Sequence, residues 1–218
     1  MPTTIIHPGT SFDQVVRLKV SRAAYDALVE SLGEDGHVRL TYDGERLEIM
    51  SPGSLHEIVS RLISGLLEFA SLEWDIDLCD LGSTRFKAPS GEEFEADGAW
   101  YRDLEKRVRD RRAIDLLVDP PPDLLLETDI TTDSSDKLKI FAAMRVPEVW
   151  LYNLEGLAAK AFDGNAYVPI QTSRVIAGLP IAEIAKRIDD EAGRSNMLVF
   201  RRAWRQWLQE HRHLHDNA

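Results

Sequence analysis

Cysteine is nearly absent from this sequence. Cys79 stands alone in 218 residues, so no internal disulfide can form and no thiolate zinc cluster can be seeded; the residue suits a small core position. No stretch approaches the ~18 uninterrupted apolar residues of a membrane-spanning helix, and the opening MPTTIIHPGTSFDQVV lacks the basic and apolar regions of a secretory signal. The expectation is a soluble, cytoplasmic protein with no membrane partner. An excess of positive charge is missing too: 26 Lys and Arg against 37 Asp and Glu give a net charge of -11, which repels a polyanion on average. The basic residues are unevenly placed, concentrated in RDLEKRVRDRR at 102–112 and RRAWRQWLQEHRHLH at 201–215. Internal repeats and low-complexity linkers are also lacking. A hydrophobic content of 44% over this length supports one sizeable core, and a single domain over 1–218 is expected.

What is present is a regular succession of elements. SRAAYDALVESL places Ser21 as a helix cap ahead of Tyr25, Leu28, Val29 and Leu32 at helical spacing, and HVRLTYDGERLEIM alternates around Asp43-Gly44 as a β-hairpin does. From 55 to 73, Ile58, Leu62, Leu66 and Phe69, widened by Val59, Ile63 and Leu67, predict a long helix packed on a sheet. DLCDLGSTRFKA and EFEADGAWYR read as two strands joined by a turn at PSGEE, before the charged segment from 103 interrupts the pattern. DLLLETDI reads as a third strand, buried on both faces. A helix capped by Ser134 or Ser135 and closed before Pro147, the strand EVWLYN, and hairpin strands around Asp163-Gly164-Asn165 follow. Two helices at about 180–190 and 196–212 finish the chain. The second carries Met197, Phe200, Trp204, Trp207 and Leu208 on one side, a spacing that suits the core or a homodimer contact more than base stacking. The order predicts an α/β fold with a mixed central sheet flanked by helices, an N-terminal helix and hairpin, and a C-terminal hairpin and helix pair.

Acids are aimed into this apolar framework. Strand alternation puts Glu95 and Asp97 on one face of EFEADGAWY, and Asp123, Leu125, Glu127 and Asp129 on one face of DLLLETDI. If the two strands are neighbours, Asp97 and Glu127 converge at one end of the sheet. Burying an ionised carboxylate costs several kcal/mol, and two together repel, so each must be protonated, paired with a cation or bound to a metal. Oxygen-only ligation suits Mg2+ or Mn2+. The same spacing also suits acids at strand ends in solvent, or paired with Arg85, Lys87, Lys137 or Lys139. Asp123, after three prolines, suits a strand cap; Glu57 has Arg61 four residues on; His56 reads as a polar residue at a helix N-terminus.

Taken together, VRLTYDGERLEIMSPGSLHE, LGSTRFK, EFEADGAWY, DLLVDPPPDLLLETDIT and KLKIFAAMRVPEVWLY, followed by LPIAEIA and FRRAWRQW, resemble the Uma-two family of restriction endonuclease-like proteins within the PD-(D/E)XK nuclease superfamily. The resemblance runs over roughly 37–208 and implies a restriction endonuclease-like core at about 55–153. It matches Asp97 to the family's first metal-binding aspartate, Glu127 to the acid of the (D/E)XK element and Glu57 to a helix glutamate that can add to the metal site. Two positions depart from the pattern. Ala96 stands where proline is usual, and Asp129 where lysine is expected. The lysine matches Lys137 on the following helix, and Asp129 is left as either a further ligand or a partner of Lys137.

The resemblance therefore implies a metal-dependent endonuclease hydrolysing DNA phosphodiester bonds, with Asp97, Glu127, Lys137 and Glu57 as site residues, Asp129 beside them, and Mg2+ or Mn2+ as cofactor. Two other functions stay open. One is a nuclease-fold binding or regulatory protein without catalysis; the other, suited to the acidic composition, is a metal hydrolase of a small phosphorylated substrate.

Overall fold

In a computed structural model, residues 13–33, 38–102, 114–129, 135–191 and 196–218 are described. Nearly all of the basic segment 102–112, Ser134 and the side chain of Ser135 lie outside the described residues. The first element among the described residues is a strand that the sequence pattern does not announce, β1 (Gln14–Lys19). In α1 (Arg22–Leu32) the Ser21 side chain accepts a hydrogen bond from the Ala24 N–H, as a cap should. The hairpin of β2 (Arg39–Tyr42) and β3 (Arg46–Ser51) closes through the Asp43 carboxylate, which accepts from the N–H groups of Glu45 and Arg46. Then follow α2 (Ser54–Glu73), β4 (Cys79–Asp80), β5 (Arg85–Lys87), β6 (Glu93–Glu95), β7 (Gly98–Tyr101) and β8 (Leu124–Thr128). The remainder is α3 (Ser135–Ala143), β9 (Glu148–Asn153), β10 (Gly156–Phe162), β11 (Tyr167–Ile170), α4 (Ile181–Glu191), α5 (Met197–Glu210) and α6 (Arg212–Asp216).

The strands form two sheets. The first, in the order β1-β3-β2-β6-β5, is antiparallel throughout; the second, β11-β10-β9-β8-β7-β4, is mixed, with β8 and β9 parallel. Each of the two strands expected between 77 and 102 is broken, and its halves lie in different sheets. β4 and β7 belong to the second sheet, β5 and β6 to the first. Asp97 sits at the break between β6 and β7, so Glu95 and Asp97 do not share a strand face. Glu95 faces Arg85 in the first sheet instead.

Strand β8 is buried along its whole length, which explains its uniform apolar character. Leu124 and Leu126 pack with Trp100, Trp150 and the inner faces of α2, α4 and α5, whereas Leu125 and Val149 pack with Phe141 of α3 and Phe94 of β6. The central sheet is thus covered by helices on one face, and by α3 and the first sheet on the other. Along α2 the buried apolar residues are Val59, Leu62, Ile63, Leu66, Leu67 and Ala70; Ile58 is 58% exposed, so the apolar stripe is rotated from the expected one. On α5, Phe200, Trp204 and Leu208 are buried while Met197 is exposed and Trp207 is half-buried, stacked on Trp204. The Trp204 indole N–H reaches the Leu66 carbonyl at 3.0 Å. Among the described residues no helix is long and apolar enough to cross a membrane.

Candidate active site

The pairing of β7 with β8 decides where the acids stand. Gly98 faces Leu126, so Asp97 and Glu127 lie one step beyond that rung on neighbouring strands. The Asp97 N–H donates to the Leu126 carbonyl at 3.1 Å, and its Oδ2 accepts from the Thr128 N–H at 2.5 Å. Gly98 allows Trp100 to fold back over this corner: a Cβ there would lie 2.3 Å from the Trp100 ring. On the other side of β8, the Thr128 hydroxyl meets Ser60 of α2 at 3.0 Å, which fixes the helix against the strand that carries Glu127.

Both acids are held by cations. Asp97 Oδ1 contacts the Arg39 guanidinium, and lies 3.0 Å from His56 Nε2. Arg39 also donates through Nη2 to Glu57 Oε1 at 3.0 Å. His56 is fully buried, with Nδ1 3.2 Å from Asp13 Oδ1, and the same Asp13 oxygen accepts from the Gly53 N–H at the start of α2. Glu127, 1% exposed, accepts from Lys137 Nζ through Oε2 at 2.7 Å. Lys137 is 3.8 Å from Glu48 Oε1, and Arg17 holds the other Glu48 oxygen at 2.8 Å. Burial pushes the Glu127 carboxyl up to about 6; Lys137 opposes the rise and the nearby Asp129 carboxylate adds to it. Burial by itself would lower the Lys137 ammonium, but Glu127, Asp129 and Glu48 together raise it, so the lysine is firmly charged.

All five residues named from the sequence belong to this corner. Asp97 and Glu57 share Arg39, Glu127 and Lys137 form a direct pair, and Asp129 acts on both through its charge. Arg61 stands 3.9 Å from Glu57, so the expected helix pair is present beside the Arg39 contact. Of the cations weighed for the acids, Lys137 does pair with Glu127, whereas Arg85 and Lys87 face Glu95 and Glu93. The partner of Asp97 is instead Arg39, which sequence reasoning passed over, and His56 is a buried member of the cluster where a helix-end polar residue was expected. A signal for Arg39 existed: alternation in RLTY turns Leu40 and Tyr42 into the core and leaves Arg39 on the opposite face. Nothing local marked the distant Asp13 or Glu48.

A cleft of about 750 Å³ opens beside α2 and reaches this corner, lined by Arg39, Glu57, Ser60, Asp97, Trp100 and others. The donors suit a hard divalent cation: they are carboxylate oxygens from two adjacent strands and a helix, and the buried Glu127 Oε1 has no hydrogen-bond partner. Such a cation binds through as few as one or two carboxylates. Among the described residues no group of three His, Cys, Asp or Glu side chains is gathered as a ready-made metal cage, and Arg39 holds Asp97.

No curated protein matches the chain. The crystal structure of a "putative nuclease belonging to DUF820" from Anabaena variabilis matches with a TM-score of 0.51 at 12% identity, over 67% of this chain and 89% of that one; at this identity the likeness shows the fold, a restriction endonuclease-like arrangement. The model of the Uma2 family, described as "Putative restriction endonuclease", matches residues 23–184. That span holds every acid expected in the site, Lys137 and Arg39, and with most of the sequence inside it, the chain belongs to the Uma2 family.

Proposed function

We propose that this chain is a metal-dependent endonuclease that hydrolyses DNA phosphodiester bonds, with Asp97 and Glu127 as ligands of Mg2+ or Mn2+, Glu57 at the cleft edge and Asp129 as an added negative charge. The observation that carries the reading is the 2.7 Å contact of Lys137 with Glu127. The expected lysine position on the strand is occupied by Asp129, yet an ammonium arrives at the acid from α3. A cation bound here would polarise the phosphoryl oxygen and acidify a water. The chain's own residues would do the rest. Lys137, kept charged by three carboxylates, offsets negative charge developing on the phosphate, while the tie between Thr128 and Ser60 keeps β8 and α2 in register around the cleft. The net charge of -11 favours a second reading, hydrolysis of a small phosphorylated substrate, whose turnover would fall much less steeply with salt than cleavage of a polyanion.

Cleavage of supercoiled plasmid with Mg2+ or Mn2+ tests the proposal. Glu127→Gln should abolish cleavage, Lys137→Ala should slow it by on the order of 10² to 10³, and Lys139→Ala, on the exposed side of α3, should stay close to the unsubstituted protein. Full activity in Lys137→Ala would remove the lysine from the mechanism; full activity in Glu127→Gln would remove the site.

A further inference from the structure

The feature left over by the nuclease reading is Arg39. Its side chain is only 11% exposed, and it touches Asp97, Glu57 and the His56 ring. A guanidinium placed this deep is a strong ligand for carboxylates, with a fork of donors matched to their oxygens. It also stands where a metal would have to approach. Asp97 Oδ2 is committed to the Thr128 N–H, so Oδ1 is the oxygen left to turn toward a cation, and Oδ1 is the one Arg39 holds.

We propose that Arg39 is a built-in competitor of the metal: it neutralises Asp97 and Glu57 when no divalent cation is bound, and metal binding displaces it from Asp97. The proposal rests on the metal-dependent reading above and adds a positioning residue to it. Two full positive charges cannot share one buried carboxylate oxygen without strong repulsion, so Arg39 and the metal exclude each other at Oδ1. Neither can the acids stand bare, since uncompensated carboxylates in this setting would be strongly destabilised. The guanidinium has somewhere to go, because Arg39 itself lines the open cleft and Glu57, 41% exposed, lies at its edge. A long side chain can therefore swing without moving β2, while the β2–β3 ladder from Arg39↔Met50 to Tyr42↔Leu47 stays intact. The consequence is a site whose metal affinity is set below what its carboxylates alone would give, by the free energy of displacing one arginine.

Calorimetric titration of the full chain with Mn2+, without DNA, tests this directly. Arg39→Met keeps the stem and removes the charge, and should bind Mn2+ about 5- to 150-fold more tightly, the range of a typical coupling between two ligands. Arg39→Lys, which retains a charge, should lie much nearer the unsubstituted protein. An unchanged or weaker affinity in Arg39→Met, with the unsubstituted protein binding normally, would overturn the competition and leave the metal site standing. Absence of Mn2+ binding in both proteins would overturn the metal reading and this proposal together. If Arg39→Met does not fold, the unsubstituted protein still decides: its Arg39 side-chain NMR resonance, assigned through Arg39→Lys, should shift along the Mg2+ binding curve. A resonance that ignores saturating Mg2+ would refute displacement.

Discussion

Replacing Lys137 by methionine keeps an unbranched side chain of similar length and removes only the ammonium. In the folded protein that ammonium is 12% exposed, 2.7 Å from a carboxylate that is 1% exposed, with Glu48 at 3.8 Å. Glu127 is already raised from the ordinary 4.5 to about 6 with the lysine in place. Because the folded carboxyl keeps its proton to higher pH than the unfolded one, the folded state binds more protons between those values. Stability therefore falls as pH rises through that window, by about 2 kcal/mol for a shift of this size. Lys137 itself has a raised value, so its own contribution is fully present below the unfolded lysine range and constant over this window. Without the ammonium, the carboxyl rises further and its destabilising window extends upward, each added pH unit costing about 1.4 kcal/mol. Lys137→Met should lose up to about 3 kcal/mol at pH 8, accumulated at about 1.4 kcal/mol per unit above the Glu127 value of about 6, and under about 1 kcal/mol at pH 4.5, where Glu127 is largely protonated in both proteins. Urea denaturation at pH 4.5, 6 and 8 measures the difference. A loss that is independent of pH would refute the account of Glu127, and a loss below about 1 kcal/mol at pH 8 would show that the pair is not buried as described.

Two further substitutions test the packing that positions the site. Gly98→Ala would drive a methyl to 2.3 Å from the buried Trp100 ring and should destabilise the chain by about 1–3 kcal/mol; an unchanged urea midpoint would place Trp100 elsewhere. Trp204→Ala removes a fully buried indole and its bond to the Leu66 carbonyl and should cost about 3–5 kcal/mol, whereas a surface or purely intersubunit tryptophan would give a small loss in dilute monomer.

Much of this protein is legible locally. Ser21 caps α1 and Asp43-Gly44 turns the β2–β3 hairpin because capping and turn chemistry act over two or three residues. DLLLETDI declares a strand buried on both faces because no alternation is needed when both sides are dry. The approach of Asp97 to Glu127 followed from two strands adjacent in the sheet, whereas Lys137 was one of several cations the spacing left open and was singled out by the family resemblance.

Tertiary structure decided the rest, through contacts whose partners are far apart in the chain. Strand β1 is held by β3 from Gln14↔Ser51 to Lys19↔Arg46, a pairing no local pattern in β1 announces. The breaks between β4 and β5, and between β6 and β7, arise because each half extends a different sheet, and an extended segment has the same alternation whichever sheet it joins. The two-sheet arrangement brings Arg39 from the first sheet onto Asp97, just before β7 of the second. An arginine in a hairpin reads as solvated until the fold supplies a buried acid, and a histidine beside a helix N-terminus reads the same way until Asp13 and Asp97 close on its two nitrogens. The acids were visible in the sequence because carboxylates in an apolar run are costly and conspicuous; the arginine that neutralises Asp97 was not, because cationic side chains ordinarily face water and only three-dimensional proximity turns one inward.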